Sequence, residues 1–527
     1  MGSRRTSTSS ASARAAVACL AASGLVLVSC TTGGNDPSAS ADRTFDIGIG
    51  VDLDTVDPAQ MTTTTVQNVV DYGVETLTKL DKDGKVQPGL ATSWKTSGDG
   101  KVLTLTLRDG VTFHDGTDFD AEAVKFNLDR ILDQKVKVPI RGVYEVISKV
   151  TATDATTVRL DLDHPDPNLI NNLSTTISGI LSPDSTKKDG NSYTNIVKPV
   201  GTGPYTFVDL KKGDQAVFKK YADYWGKKPY YDRVVFHIVP EGNSREAILR
   251  SGQADMIMNP PVSDLEALDK DASIDILKAP SDRAVFIAFN NSKPPFDDKL
   301  VRQALNYAVD KKNIADKVLF GAVDTMDSPL AASLNGYCEV GDYAFDQKKA
   351  KQLLADAGVD KLTVTFGTPT GRYLQDKQAA QAIAANLKDV GVTAKVRTMD
   401  WPSYQAATAE PKAQQQFDLH LLGWAPGSLD APTQFQMFQR SQWPPNGLAT
   451  SFYTNPKVET LIAKGNRELD TEKRNTMYCD AQKLIWDDAP WLFLWSQTLV
   501  LAHSSDVTGI SYIPNEKFDT IYAKPAK

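Results

Sequence analysis

The chain has 527 residues, 41% of them hydrophobic and 23% charged, with a net charge of −7. That length exceeds one hydrophobic core and implies two or three globular units. The acidic balance, with no basic cluster to reverse it, excludes nucleic acid as a partner. The N-terminus is set apart. Arg4, Arg5 and Arg14 precede or open an apolar run from Ala15 to Val28, and no acid precedes it. A basic flank, a short apolar core and a small residue at its end make an export signal over residues 1–29. The run falls well short of the ~20 residues that a bilayer-spanning helix needs. Its removal takes away three arginines and no acid, so the mature charge is −10. Residues 30–43 are small, polar and unpatterned, and read as a flexible linker.

The fold begins at Phe45, where apolar alternation starts. Val102–Leu107 alternates as a strand and is followed by the turn Arg108-Asp109-Gly110. Ala121–Leu132 carries Val124, Phe126, Leu128 and Ile131 at helical spacing, and Val158–Leu162 alternates again. Lys299–Val309 is a helix with Leu300, Ala304, Leu305 and Ala308 on one face. Gln347–Ala357 and Asp376–Val390 are two more helices, each followed by a C′ glycine, Gly358 or Gly391. A strand follows each, at Leu362–Phe366 and Thr393–Val396. Helices and strands in alternation predict a mixed α/β sheet.

Cys338 and Cys479 are the two cysteines left after the signal and Cys30. An even pair in an oxidising compartment predicts a disulfide. The chain carries no nucleophile elbow, P-loop or His-Glu-x-x-His, and its five histidines lack ligand spacing. No catalytic residue, metal site or cofactor is therefore predicted.

The ending Leu27-Val28-Ser29-Cys30 resembles the lipobox of bacterial lipoproteins. That resemblance implies a diacylated (palmitate-bearing) Cys30 as the first mature residue, and an extracytoplasmic body anchored to the cell membrane by lipid.

Several further blocks resemble one family along the whole mature chain. They are Leu53-Asp54-Thr55-Val56-Asp57-Pro58-Ala59, Gly89-Leu90-Ala91-Thr92-Ser93-Trp94, Leu105 to Gly116, and Ala121 to Phe126 with Arg130. Pro199 to Tyr205, Tyr224 to Tyr230 and Val301 to Asp310 continue the pattern. Together they are similar to the extracytoplasmic solute-binding proteins of peptide/nickel-type ABC importers (family 5, dipeptide/oligopeptide-binding-like). Turn chemistry accounts for much of this signal, so His114, Trp94 and Trp225 read as scaffold rather than pocket.

The resemblance implies a two-lobe α/β periplasmic-binding-protein-like fold with a hinge. Lobe I takes 44–287 and returns at 500–527, with an extra domain inserted at about 76–198, and lobe II takes 288–499. Ala284–Asn290 and Trp491–Ala502 are the expected crossings. The implied function is capture of a peptide or peptide-like solute in the inter-lobe cleft for import, by a monomer working with permease and ATPase subunits. A metal chelate or oligosaccharide ligand, or a secreted hydrolase using cleft carboxylates, stands as the alternative.

Leu421 to Pro432 resembles the family's cleft loop, where peptide binders carry Trp-x-x-Asp-x-x-Asp-Pro and the first Asp pairs with the peptide ammonium. Here Trp424 is kept, Gly427 stands at the first acid, and Asp430 matches the second. Arg372, between a predicted strand and helix, is placed by the resemblance facing the cleft, where its fork could hold a carboxylate. Trp401 is expected to floor the pocket, and Met61 and Thr62 to line its lobe I wall.

Overall fold

The structure, a computed structural model, describes residues 43–527. The export signal, Cys30 and nearly all of the linker lie outside the described residues. Two large sheets organise the body. The first has seven strands, in the order Ile274–Ala279, Leu499–Ser504, Met256–Met258, Thr44–Ile49, Arg233–Ile238, Gln215–Lys220 and Tyr205–Lys211. The second has six, in the order Val323–Thr325, Trp491–Gln497, Ala284–Phe289, Leu419–Trp424, Leu362–Pro369 and Val392–Met399. A smaller four-stranded antiparallel sheet, Ala91–Thr96, Val102–Leu107, Thr157–Leu162 and Ile147–Asp154, lies in the early part of the chain. This is the mixed α/β, periplasmic-binding-protein-like architecture.

The chain passes between the two large sheets at adjacent points. Ile274–Ala279 pairs antiparallel with Leu499–Ser504 in the first sheet. Ala284–Phe289 pairs antiparallel with Trp491–Gln497 in the second. Residues 280–283 and Thr498 are the only links between these strands, and Gln497 N–H donates to Arg283 O at 3.0 Å. The strand expected to form the first crossing, Ala284–Asn290, instead sits inside the second sheet between two partners, so the boundary drawn at 287 falls within that sheet. Its six residues are all buried, as expected for a strand with a partner on each side.

Periodic segments form the elements that their patterns predict. Helix Ala121–Leu132 starts at Asp120, whose carboxylate accepts Ala123 N–H at 2.9 Å. Helices Gln347–Asp356 and Asp376–Asp389 are followed by Gly358 and Gly391, with φ of +72° and +91°. Cys338 and Cys479 are joined by a disulfide, with Cα atoms 5.4 Å apart.

The recurring blocks converge on scaffold. Glu75 accepts from Trp225 Nε1 at 2.7 Å, Tyr224 Oη at 3.0 Å and Thr202 Oγ1 at 3.0 Å. Asp57 and Arg130 form a buried ion pair. His114 Nε2 bonds Gly203 O at 2.8 Å. These groups are half-buried or buried and bond to one another or to backbone, so they hold the fold together.

Candidate functional site

Three parallel strands of the second sheet end at one edge. Leu362–Pro369 runs parallel to both Val392–Met399 and Leu419–Trp424. Arg372 follows the first, Trp401 the second, and Trp424 closes the third. Residues far apart in sequence therefore meet at the carboxyl ends of neighbouring strands, where open α/β sheets place their ligand sites.

The loop bearing Arg372 is wound around one carboxylate. Asp376 accepts the N–H groups of Gly371 at 3.3 Å, Arg372 at 3.0 Å and Tyr373 at 3.2 Å. Burial pushes Asp376 up to about 6. The Arg372 side chain is 3% exposed, and among the described residues it has no hydrogen bond or ion pair. Its guanidinium carbon lies 5.3 Å from the Trp401 ring centroid and 5.1 Å from that of Tyr373. Burial, with the nearby Arg283 charge, lowers its pKa to about 10. A buried cation without a counter-ion is costly in a ligand-free fold. It is a fitting receptor for an anion that arrives later.

Arg372, Trp401, Trp424 and Thr62 line one small pocket of about 30 Å³, with Gln405 and Leu448. Trp424 Nε1 is buried there without a partner. Thr62, Gln405 and Leu448 also line a larger cavity of about 570 Å³. Its other walls include Asp54 and Thr55, residues 134–139 and 445–447. The larger space is of the size that holds small solutes. The two lobes touch across it. Trp401 Nε1 donates to Thr63 Oγ1 at 2.9 Å, and Gln405 Nε2 donates to Thr62 Oγ1.

Two expected residues sit elsewhere. Met61 is fully buried in the core beneath the first sheet, with Phe45, Ile47 and Val66, and does not line either space. Asp430 precedes the short helix Ala431–Phe435 and accepts Asn171 Nδ2 at 2.7 Å. Burial pushes its carboxyl up to about 6. Gln405 was legible in principle, since it lies four residues after Trp401 on helix Trp401–Thr408 and so on the same face. Asp54 and Leu448 carry no signal in the sequence, because only the packing of the lobes brings them here.

Residues 85–446 match the profile of bacterial extracellular solute-binding proteins, family 5 Middle. The chain belongs to this family. Being a family 5 solute-binding protein, it is a non-catalytic, extracytoplasmic component of the peptide/nickel ABC importer class. It is 32% identical to the glutathione-binding protein GsiB of Pectobacterium atrosepticum, over 90% of this chain and 92% of that protein. The solved structure of the periplasmic binding protein DppA from Helicobacter pylori, in complex with the peptide STSA, is similar, with a TM-score of 0.83 and 26% identity. That likeness covers 92% of this chain and 98% of the other. The oligopeptide-binding protein AppA from Bacillus subtilis, in complex with a nonapeptide, has a TM-score of 0.85 and 25% identity. It covers 92% of this chain and 99% of its own. A family 5 solute-binding protein binds its solute and does no chemistry on it.

Proposed function

We propose that the protein captures a short, carboxylate-bearing peptide-like solute, with glutathione as the first candidate, and presents it to an ABC permease and ATPase. The carrying observation is the Arg372 guanidinium, buried without a partner at the meeting point of the lobes. A carboxylate on the solute supplies its missing counter-ion, while Trp401 and Trp424 supply apolar walls and Thr62 the wall from the first lobe. Asp430 and Met61 lie outside this contact set. The relatives named glutathione-binding protein support the choice of solute. The lobes span 44–283 with the return from 499, and 284–497, with an insertion in the first. The mature chain acts as a monomer, tethered through a lipid on Cys30.

Calorimetry with glutathione and a panel of di- to tetrapeptides tests the solute. Saturable binding that is lost with a peptide amide lacking free carboxylates supports the reading. No binding to any member refutes it. For the tether, Cys30→Ala should release the protein from membranes, because stable anchoring needs the two chains of a diacylglyceryl group. Unchanged membrane association would rule the lipid out.

A further inference from the structure

The cavity of about 570 Å³ has a charge pattern opposite to that of the whole molecule. The chain carries a net charge of −7. Yet the charged residues lining this cavity are Lys135, Lys137 and Arg141, against Asp54 alone. Burial raises the Asp54 pKa, which shifts the one acid towards its neutral form. A concave space lined mainly by one sign of charge focuses the field and concentrates solutes of the other sign.

The basic residues are presented by a braced segment after helix Ala121–Leu132. Arg141 Nε donates to Ile131 O at 2.9 Å, Nη1 to Gln134 Oε1 at 2.7 Å and Nη2 to Asp133 O at 2.9 Å. Asp133 Oδ1 accepts Lys135 N–H at 2.9 Å. Val136 and Val138 are buried, at 1% and 4% exposure, and the alternate residues Lys135 and Lys137 are exposed. Neither lysine side chain has a hydrogen bond or ion pair among the described residues. Arg141, most of whose donors are taken, adds charge to the field. Arg372 lies more than 230 residues further along the chain, but its pocket adjoins this cavity. Thr62, Gln405, Ala409 and Leu448 line both spaces.

We infer that Lys135 and Lys137 form a second anion subsite, which receives a further carboxylate of a solute whose first carboxylate is held by Arg372. A solute with one carboxylate leaves the lysines without a counter-ion. A solute with two supplies one at each place. The site therefore selects acidic peptides over neutral ones. Glutathione, with two carboxylates and one ammonium, belongs to the selected class.

This inference rests on the carboxylate-bearing solute reading, and the test separates the two. Calorimetry compares glutathione with two analogues that each lack one carboxylate, the glycine amide and the form without the glutamyl α-carboxyl. It also compares Ala-Glu with Ala-Gln. At low salt the wild type should bind glutathione or Ala-Glu about fivefold tighter than the better-bound partner lacking a carboxylate, the scale of exposed ion pairs. The preference should shrink in high salt, which screens exposed charges. The double variant Lys135→Ala/Lys137→Ala should lose the preference, with its melting temperature without solute unchanged, and Lys135→Arg/Lys137→Arg should keep it. Equal affinity of the wild type for solutes with one and two carboxylates overturns the second subsite and leaves the carboxylate reading standing. A preserved preference in the alanine variant overturns the assignment to these lysines. Binding of none of these solutes overturns both readings.

Discussion

Arg283 and Glu516 form a fully buried ion pair where the chain crosses between the sheets. Arg283 Nε donates to Glu516 Oε1 at 2.6 Å, and Nη2 reaches the other oxygen. The same guanidinium donates to Gly423 O at 2.8 Å in the second sheet and to Thr64 Oγ1 at 3.2 Å in the first lobe. Burial pushes Glu516 up, but the Arg283 charge and its hydrogen bonds bring it below the ordinary carboxylate range. The pair thus ties the second sheet, the first lobe and the C-terminal return together.

Glu516→Gln should destabilise the protein by about 3–5 kcal/mol, the usual cost of leaving one member of a buried pair uncompensated. Arg372, which also feels the Glu516 charge, would lose support as well. Denaturant unfolding of the two proteins measures it. A change below about 1 kcal/mol would show that the pair is dispensable to the fold.

Arg372→Met should have opposite effects on stability and on function. Removing an unpaired buried charge for an apolar chain of similar length should stabilise the ligand-free protein by roughly 1–3 kcal/mol. Affinity for a carboxylate-bearing solute should fall more than tenfold. Melting temperatures with and without glutathione read both effects. A variant that is less stable without ligand contradicts the picture of an orphaned cation.

Glycines form one backbone contact between the lobes. A Cβ at Gly50 would stand 2.6 Å from Gly371 O, and one at Gly371 would stand 2.6 Å from Pro240 O. Gly371 also has a φ of +78°. Gly50→Ala should therefore hold the lobes apart at this edge. Small-angle scattering should give a larger radius of gyration, with solute affinity reduced. Unaltered dimensions and affinity would mean that the contact yields without opening.

Acid should favour the fold that buries Asp430 and Asp166. Burial raises both Asp430 and Asp166 to about 6, and the Asp166 charge adds to the rise at Asp430, while Arg474 opposes it. Unfolded, each titrates near ~3.9. Protonated in the fold and ionised when unfolded, they contribute stability that is complete below about pH 4 and lost as pH rises through about 6. Asp430→Asn keeps an acceptor for Asn171 and removes the charge. Its melting temperature should exceed that of wild type at pH 7.5, with the gap closing at pH 5. A pH-independent gap would show that Asp430 is not the titrating group.

Much of the fold was legible because local periodicity and turn chemistry act within a few residues. Asp120 before Ala121–Leu132, and Gly358 and Gly391 after their helices, mark boundaries that short-range hydrogen bonding and backbone sterics impose. That Arg372 and Trp401 each follow a strand was legible from the alternation of those strands, whereas a place for them in the cleft was an expectation from the resemblance. The exact place of the first crossing beside Ala284–Phe289 was not legible, for a physical reason. An apolar run reads alike whether it bridges two lobes or lies central in one sheet, and only its two strand partners distinguish the cases.

The sequence by itself determined the family, the strand-and-helix grammar and the even pair of cysteines, since each is written in contiguous or countable residues. The tertiary structure alone decided which charges are orphaned. Arg372 lacks a counter-ion because Arg283 stands beside it and holds Glu516, which lies 144 residues away. Asp430 faces Asn171, and Asp282 and Asn515 close on Gly427, through contacts that span 88 to 259 residues of chain. Whether a buried polar group is satisfied depends on everything packed around it, and no local pattern carries that information.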